Sequence, residues 1–117
     1  MAVSYTSKTY WSGVLNASLC KFFILRAICD GPAHGYEIIR RVARMTDYFC
    51  TPTQGTIYPV LREFQECGCV TCRREVVNGR TRKVYSVTPK GREAYKAGLG
   101  VWQKGLRCVQ HVVEQEK

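Results

Sequence analysis

Asn78-Gly79 stands between two runs of β-forming residues, 70 to 77 and 82 to 88, and nothing else in the chain constrains its fold as tightly. Both residues of an Asn-Gly pair tolerate positive φ, which a hairpin turn matched to the twist of its strands demands. One hairpin is therefore expected here, with Asn78–Thr81 (NGRT) as its loop. It is also unusually charged. Residues 70 to 92 hold Arg73, Arg74, Arg80, Arg82, Lys83, Lys90 and Arg92 against Glu75 alone, in a chain whose formal net charge is +9. A merely solvated face would mix its signs; a surplus gathered on one element points to a polyanion or an anionic membrane surface.

Three helical segments precede the hairpin. Residues 15 to 29 (LNASLCKFFILRAIC) are apolar on nearly every side, with Lys21 and Arg26 as their only charges. Such a helix is buried on more than one face, and in so small a protein the second burying surface can be another subunit. Asp30, Gly31 and Pro32 end it. From His34 the pattern changes: Ile38, Ile39, Val42 and Met45 keep helical spacing, while Glu37, Arg40, Arg41 and Arg44 take the other face. Gly31 and Gly35 suit a tight turn between two helices meeting at an angle. In the third segment, Thr53 to Gly68, the residues Ile57, Val60, Leu61 and Phe64 form one apolar stripe, with Thr53 as N-cap and Gly68 as stop. Pro59 lies inside it, and a distortion is expected there.

A last helix starts at Thr88-Pro89, Thr as cap and Pro at the first position. Tyr95, Leu99, Trp102, Leu106, Val109 and Val113 are spaced 4, 3, 4, 3, 4, a heptad seam that calls for a partner helix, read here as that of a second copy. Gly98, Gly100 and Gly105 weaken this helix but allow close approach.

The 117 residues suffice for one domain and bury only about two-thirds of their unfolded surface, so support from dimerisation is expected. The N-terminus is polar and no apolar run reaches the roughly 18 residues of a membrane span; the expected location is the cytoplasm, with no membrane partner. Seven cysteines then read as thiols, not as a disulfide framework. No nucleophile–base–acid set, phosphate loop or paired-carboxylate motif appears, which argues against an enzyme.

Helix, helix, helix, basic hairpin, long helix is the order of a winged helix-turn-helix with an appended C-terminal dimerisation helix. The fold class is mainly α with a small β-hairpin: residues 1–88 as the DNA-binding domain with an N-terminal arm, 89–117 as the dimerisation helix. A helix about 10–12 Å across fits a major groove about 12 Å wide. The stretch GPAHGYEIIRRV supplies the support helix behind the recognition helix, and the arginine hairpin can follow the phosphate backbone or enter a minor groove.

HGYEI, GTIYPVL, ECGCV, NGRTRKVYSVT and PKGREAY together resemble the PadR family of bacterial transcriptional regulators, over roughly residues 15 to 115. The absence of a second large domain resembles its short-chain branch. The resemblance implies a homodimeric winged-helix repressor that binds a palindromic operator, dimerises through its first and last helices, and is released by an effector, often a phenolic acid or a flat aromatic compound. Drug-sensing members use a tryptophan on the last helix for this. Cys69, where the family usually has an aliphatic residue, and the stretch DYFCTP depart from the pattern.

The residues expected at double-stranded DNA are Tyr36, Thr53, Gln54, Thr56, Tyr58 and Arg62, with Arg80, Arg82 and Lys83 on the hairpin. Tyr85 reads equally as packing or contact, and His34 as a hydrogen-bonded structural residue. Those expected at an effector are Trp102, Tyr95, Leu99 and, from the N-terminal arm, Trp11, with Tyr10 beside it; paired indoles can sandwich a flat ligand. The expected dimer seam comprises Leu15, Leu19, Phe23, Leu99, Trp102, Leu106, Val109 and Val113. No cofactor is required. Cys67, Cys69 and Cys72 form C-x-C-x2-C, whose thiolates suit a thiophilic metal ion, but a fourth zinc ligand is missing. Burial as small hydrophobes is the other reading of these cysteines. A metal- or redox-sensing regulator switched through thiols, among them Cys50 and Cys108, is the second functional expectation.

Overall fold

A computed structural model describes residues 2–117. Ser7 caps the first helix, α1 (Lys8–Cys29), by accepting from the Tyr10 N–H at 3.4 Å. α1 therefore starts well before residue 15, and Tyr10 and Trp11 are helical, not part of an arm. An edge-to-face aromatic cluster of Tyr5, Tyr10 and Trp11 holds this end, where the Trp11 indole N–H donates to the Tyr5 carbonyl at 2.7 Å. α1 is long and apolar enough, by length and composition, to cross a membrane, contrary to the expectation that no run would be. Core helices pass the same test, and its Ile24, Leu25, Ala27 and Ile28 are core residues here.

After the turn come β1 (Ala33–His34), α2 (Gly35–Met45), α3 (Gln54–Glu66), β2 (Val70–Val77), β3 (Arg80–Val87) and α4 (Pro89–Gln115). The sheet is antiparallel in the order β1-β3-β2. Its third strand, β1, is two residues long and carries no periodicity, so the sequence did not reveal it. The hairpin loop is the two-residue Asn78-Gly79 turn, both residues at positive φ (52° and 75°); Arg80 and Thr81 already pair in β3. α3 is continuous from Gln54 to Glu66 with Pro59 inside it, where one backbone donor is missing.

One core joins these elements. Ile24 and Ile28 of α1 meet Ile38 and Val42 of α2, Ile57 and Leu61 of α3, Val70 of β2 and Tyr85 of β3. Each large aliphatic side chain here contributes about 1.5–3 kcal/mol by leaving water. Tyr85 is therefore a packing residue, and burial raises its phenol pKa. The angle between α1 and α2 has a tie that sequence reading overlooked. Arg41, placed on the polar face, donates to the carbonyls of Gly31 (2.7 Å) and Ala27 (3.1 Å), satisfying the end of α1.

α4 is locked at its start. Thr88 Oγ1 lies 2.7 Å from the Gly68 carbonyl, to which it donates, and accepts from the Gly91 N–H at 3.0 Å. Gly91 is buried, and a Cβ there would overlap the Cys69 carbonyl oxygen. Gly91→Ala is expected to lower stability by about 1–3 kcal/mol through this overlap. The melting temperature should fall by about 4–8 °C for each kcal/mol. An unchanged melting temperature would show that this packing does not hold α4.

Candidate nucleic-acid interface

The first turn of α3 is built to leave polar groups outward. Thr53 Oγ1 accepts from the Thr56 N–H at 3.3 Å, and the Thr53 carbonyl takes the Ile57 N–H at 2.9 Å. The N–H groups of Gln54 and Gly55 lie among the first four of the helix, which have no intrahelical acceptor. Ile57 and Leu61 are buried, so Gln54, Thr56, Tyr58 and Arg62 are left on the exposed side.

Beside α3 an open groove of about 860 Å³ runs between the start of α2 and the hairpin. His34, Tyr36, Tyr58, Arg80, Arg82 and Lys83 line it, with no carboxylate among the lining residues. Among the described residues Arg80, Arg82 and Lys83 make no ion pair, whereas Arg73 reaches Glu75 at 3.8 Å. These charges remain available to an anion. The sequence-selected Tyr36, Tyr58, Arg80, Arg82 and Lys83 thus meet in one place; Thr53, Gln54, Thr56 and Arg62 lie on α3 outside the groove lining.

Two local features shape the groove. His34 caps α2, its Nδ1 accepting from the Glu37 N–H at 3.3 Å, while its backbone pairs with Val84. This bears out the structural reading of the histidine and adds it to the groove wall. Next to it, Gly35 leaves room for Tyr58: a Cβ would stand 2.7 Å from Tyr58 Oη, and the phenol would have to shift. Tyr58 therefore packs across the helix-turn-helix as well as facing the groove.

The residues assigned to an effector divide. Tyr95 stacks on Phe22 of α1 (5.4 Å between centroids), and Trp102 tilts against the same ring at 6.4 Å. Arg26 donates to Tyr95 Oη at 3.4 Å and lies over its ring. Leu99 is exposed on the same helix. Trp11 belongs to the other end of α1, eleven residues from Phe22, which is roughly 16 Å along the helix. Within one protomer it does not join Trp102. Of the seam residues, Leu15, Leu106, Val109 and Val113 are exposed, while Leu19, Phe23 and Trp102 are half-buried within their own chain.

The C-x-C-x2-C sulfurs are not gathered. Cys67 is exposed, Cys69 is buried and Cys72 packs against the core; among the described residues no group of three or more His, Cys, Asp or Glu could hold a metal ion. Cys20 and Cys50, far apart in sequence, are the thiols brought together: both line one cavity, and Cys20 packs against the core cluster that holds Cys50.

Three helices, a two-residue strand and a basic hairpin beside an outward-facing third helix define a winged helix-turn-helix. Solved structures agree. A PadR family transcriptional regulator from Eggerthella lenta superposes with a TM-score of 0.78 at 19% identity, over 91% of each chain. A transcriptional regulator from Clostridium thermocellum gives 0.74 at 21%, over 82% of this chain and 94% of that one. Bacillus subtilis PadR, solved in complex with operator DNA, gives 0.63 at 24%, over 69% of this chain and 46% of that one.

The chain belongs to the PadR-like family of transcriptional regulators, whose family model matches residues 24–97. It is a family of regulators, not of enzymes. The Mycobacterium tuberculosis transcriptional regulator Rv3488 is 35% identical over 74 residues, a match spanning 63% of this chain and 66% of that protein. Escherichia coli transcriptional regulator YqjI is 36% identical over 55 residues, covering 47% of this chain and 27% of its own.

Proposed function

We propose that this chain is a DNA-binding repressor that works in the cytoplasm as a homodimer on a palindromic operator and is released by a small effector of phenolic or planar aromatic type. Residues 1–88 hold the DNA and residues 89–117 hold the second copy. One observation carries the reading: the groove beside the exposed start of α3 is lined by three cations free of ion pairs and by no carboxylate. A phosphate backbone fits that chemistry, with Thr53, Gln54, Thr56 and Arg62 reaching base edges or phosphates and Tyr36 and Tyr58 at the groove. Bacillus subtilis PadR, a structural neighbour, was solved in complex with operator DNA.

The bare apolar face of α4 supports the dimer. Of the seam residues on this 27-residue helix, Leu106 and Val109 are more than half exposed and Val113 nearly so. Leu15 on α1 is exposed as well. The effector reading rests on Tyr95, Leu99 and Trp102, where the α1–α4 crossing presents aromatic faces. Trp11 can contribute only from a second copy.

Reduced protein is expected to shift a fragment of its own promoter at low salt, and indifference to that DNA would overturn the reading. A screen of planar aromatics should find a compound that quenches Trp102 fluorescence in a Trp11→Phe background and lowers DNA affinity. If none quenches, Trp102 is a packing residue and the effector part fails.

A further inference from the structure

A second cavity, of about 490 Å³, lies between α1 and the segment that leads into α3. Asn16, Ala17 and Cys20 form one wall, and Tyr48, Phe49, Cys50 and Pro52 the other; Thr56 of α3 closes it. Cys50 is 3% exposed and Cys20 half-buried. Cys50 belongs to the core cluster that includes Ile57 and Leu61 of α3, and Cys20 packs against it.

The segment is under tension. Asp47 and Tyr48 are non-glycine residues at φ 52° and 64°, a conformation that L side chains adopt only when their surroundings impose it. Their N–H groups bond back to Arg44 and Ala43 of α2, and Thr46 ties the segment's far end: its Oγ1 accepts from the Cys50 N–H at 3.0 Å and lies 3.1 Å from the Cys50 carbonyl. Three residues beyond Cys50 stands Thr53, the cap of α3. Any pull on Cys50 is transmitted to the helix that faces the DNA.

We propose that Cys20 and Cys50 are a redox-modification site: a hydroperoxide converts them to a disulfide that draws the 46–52 segment onto α1 and displaces the start of α3 from its DNA-reading position. The more accessible Cys20 thiol attacks the peroxide O–O bond, giving a sulfenic acid and releasing an alcohol, or water from hydrogen peroxide. The Cys50 thiol then attacks that sulfur, forming the S–S bond and expelling water. Two thiols lose two electrons and two protons, and the peroxide is reduced. The product brings the sulfurs to about 2.05 Å, with a fixed torsion that the Thr46-held loop has to accommodate. Burial raises both thiols above their ordinary range, with each other as the next cause for Cys20. The thiolate is the reacting form, so the reaction should be slow at neutral pH and accelerate as pH rises. The loss of DNA binding rests on the function proposed above; the cross-link does not.

The test uses the full chain in a Cys67→Ser/Cys108→Ser background, which removes the two exposed thiols. Reduced protein is treated with hydrogen peroxide, alkylated, and mapped by mass spectrometry without reduction. A peptide linking Cys20 to Cys50 is expected, formed faster at pH 9 than at pH 7. Promoter affinity should fall at least tenfold and return with dithiothreitol. Cys20→Ser/Cys50→Ser protein should bind DNA when reduced and ignore peroxide. Absence of the linked peptide, or equal loss of affinity in the double variant, overturns the proposal. Should reduced protein bind no DNA while the cross-link forms, the site stands and the DNA-binding reading falls.

Discussion

Replacing Arg80 by Glu, with Arg82→Gln, is expected to reduce affinity for the protein's own promoter by at least a hundredfold at about 0.1 M salt. Both guanidinium groups line the groove and are free of ion pairs, so they are not needed to hold the wing together. Each Lys or Arg contact to a phosphate releases counterions, and losing one should reduce the slope of log K against log salt by about one. The choice at position 82 matters. Arg82 is paired across the strands with Glu75, so Arg82→Glu would set two carboxylates face to face and loosen the hairpin itself. Glutamine removes the charge without that penalty, and circular dichroism should be unchanged. Anisotropy titrations at several salt concentrations read the result; unaltered affinity and slope would take the wing out of DNA binding.

Aspartate at Leu106, Val109 and Val113 is expected to turn the proposed dimer into a 13.3 kDa monomer by sedimentation. These side chains are 63%, 61% and 45% exposed, so nothing within the chain depends on them. Three buried charges in a helix–helix seam, by contrast, abolish it. Tyr95 is a poor choice for this experiment despite its heptad position, because it stacks on Phe22 and accepts from Arg26 within its own chain. Monomers should also lose operator affinity steeply, since each half-site must then be bound independently. Dimers that persist in the triple variant would remove α4 from the interface.

Much of the candidate DNA-binding surface was legible in the order of residues, because its signals are local. Thr53 and Thr88 cap their helices as short-range chemistry requires, and Asn78-Gly79 turns the hairpin. The apolar stripe of Ile57, Val60, Leu61 and Phe64 told which face of α3 turns inward, and so which turns out. Misjudgements fell where distant parts meet. Residues 8–14 carry too little periodicity to mark a helix, and their aromatic cluster shows only in three dimensions. The heptad spacing assigned Tyr95 and Trp102 to an outside partner; Phe22 of the same chain takes part of that surface first.

What the chain's order of residues settled alone was the four helices and the hairpin, the inward face of α3 and the concentration of positive charge on one hairpin, all governed by interactions between near neighbours. Tertiary structure alone decided that Arg41 would close the end of α1, that His34 and Gly35 would flank Tyr58, and that Cys20 and Cys50 would share a cavity at the start of α3. Those meetings depend on how helices cross. A crossing angle follows from the packing of the whole core, which no local pattern encodes.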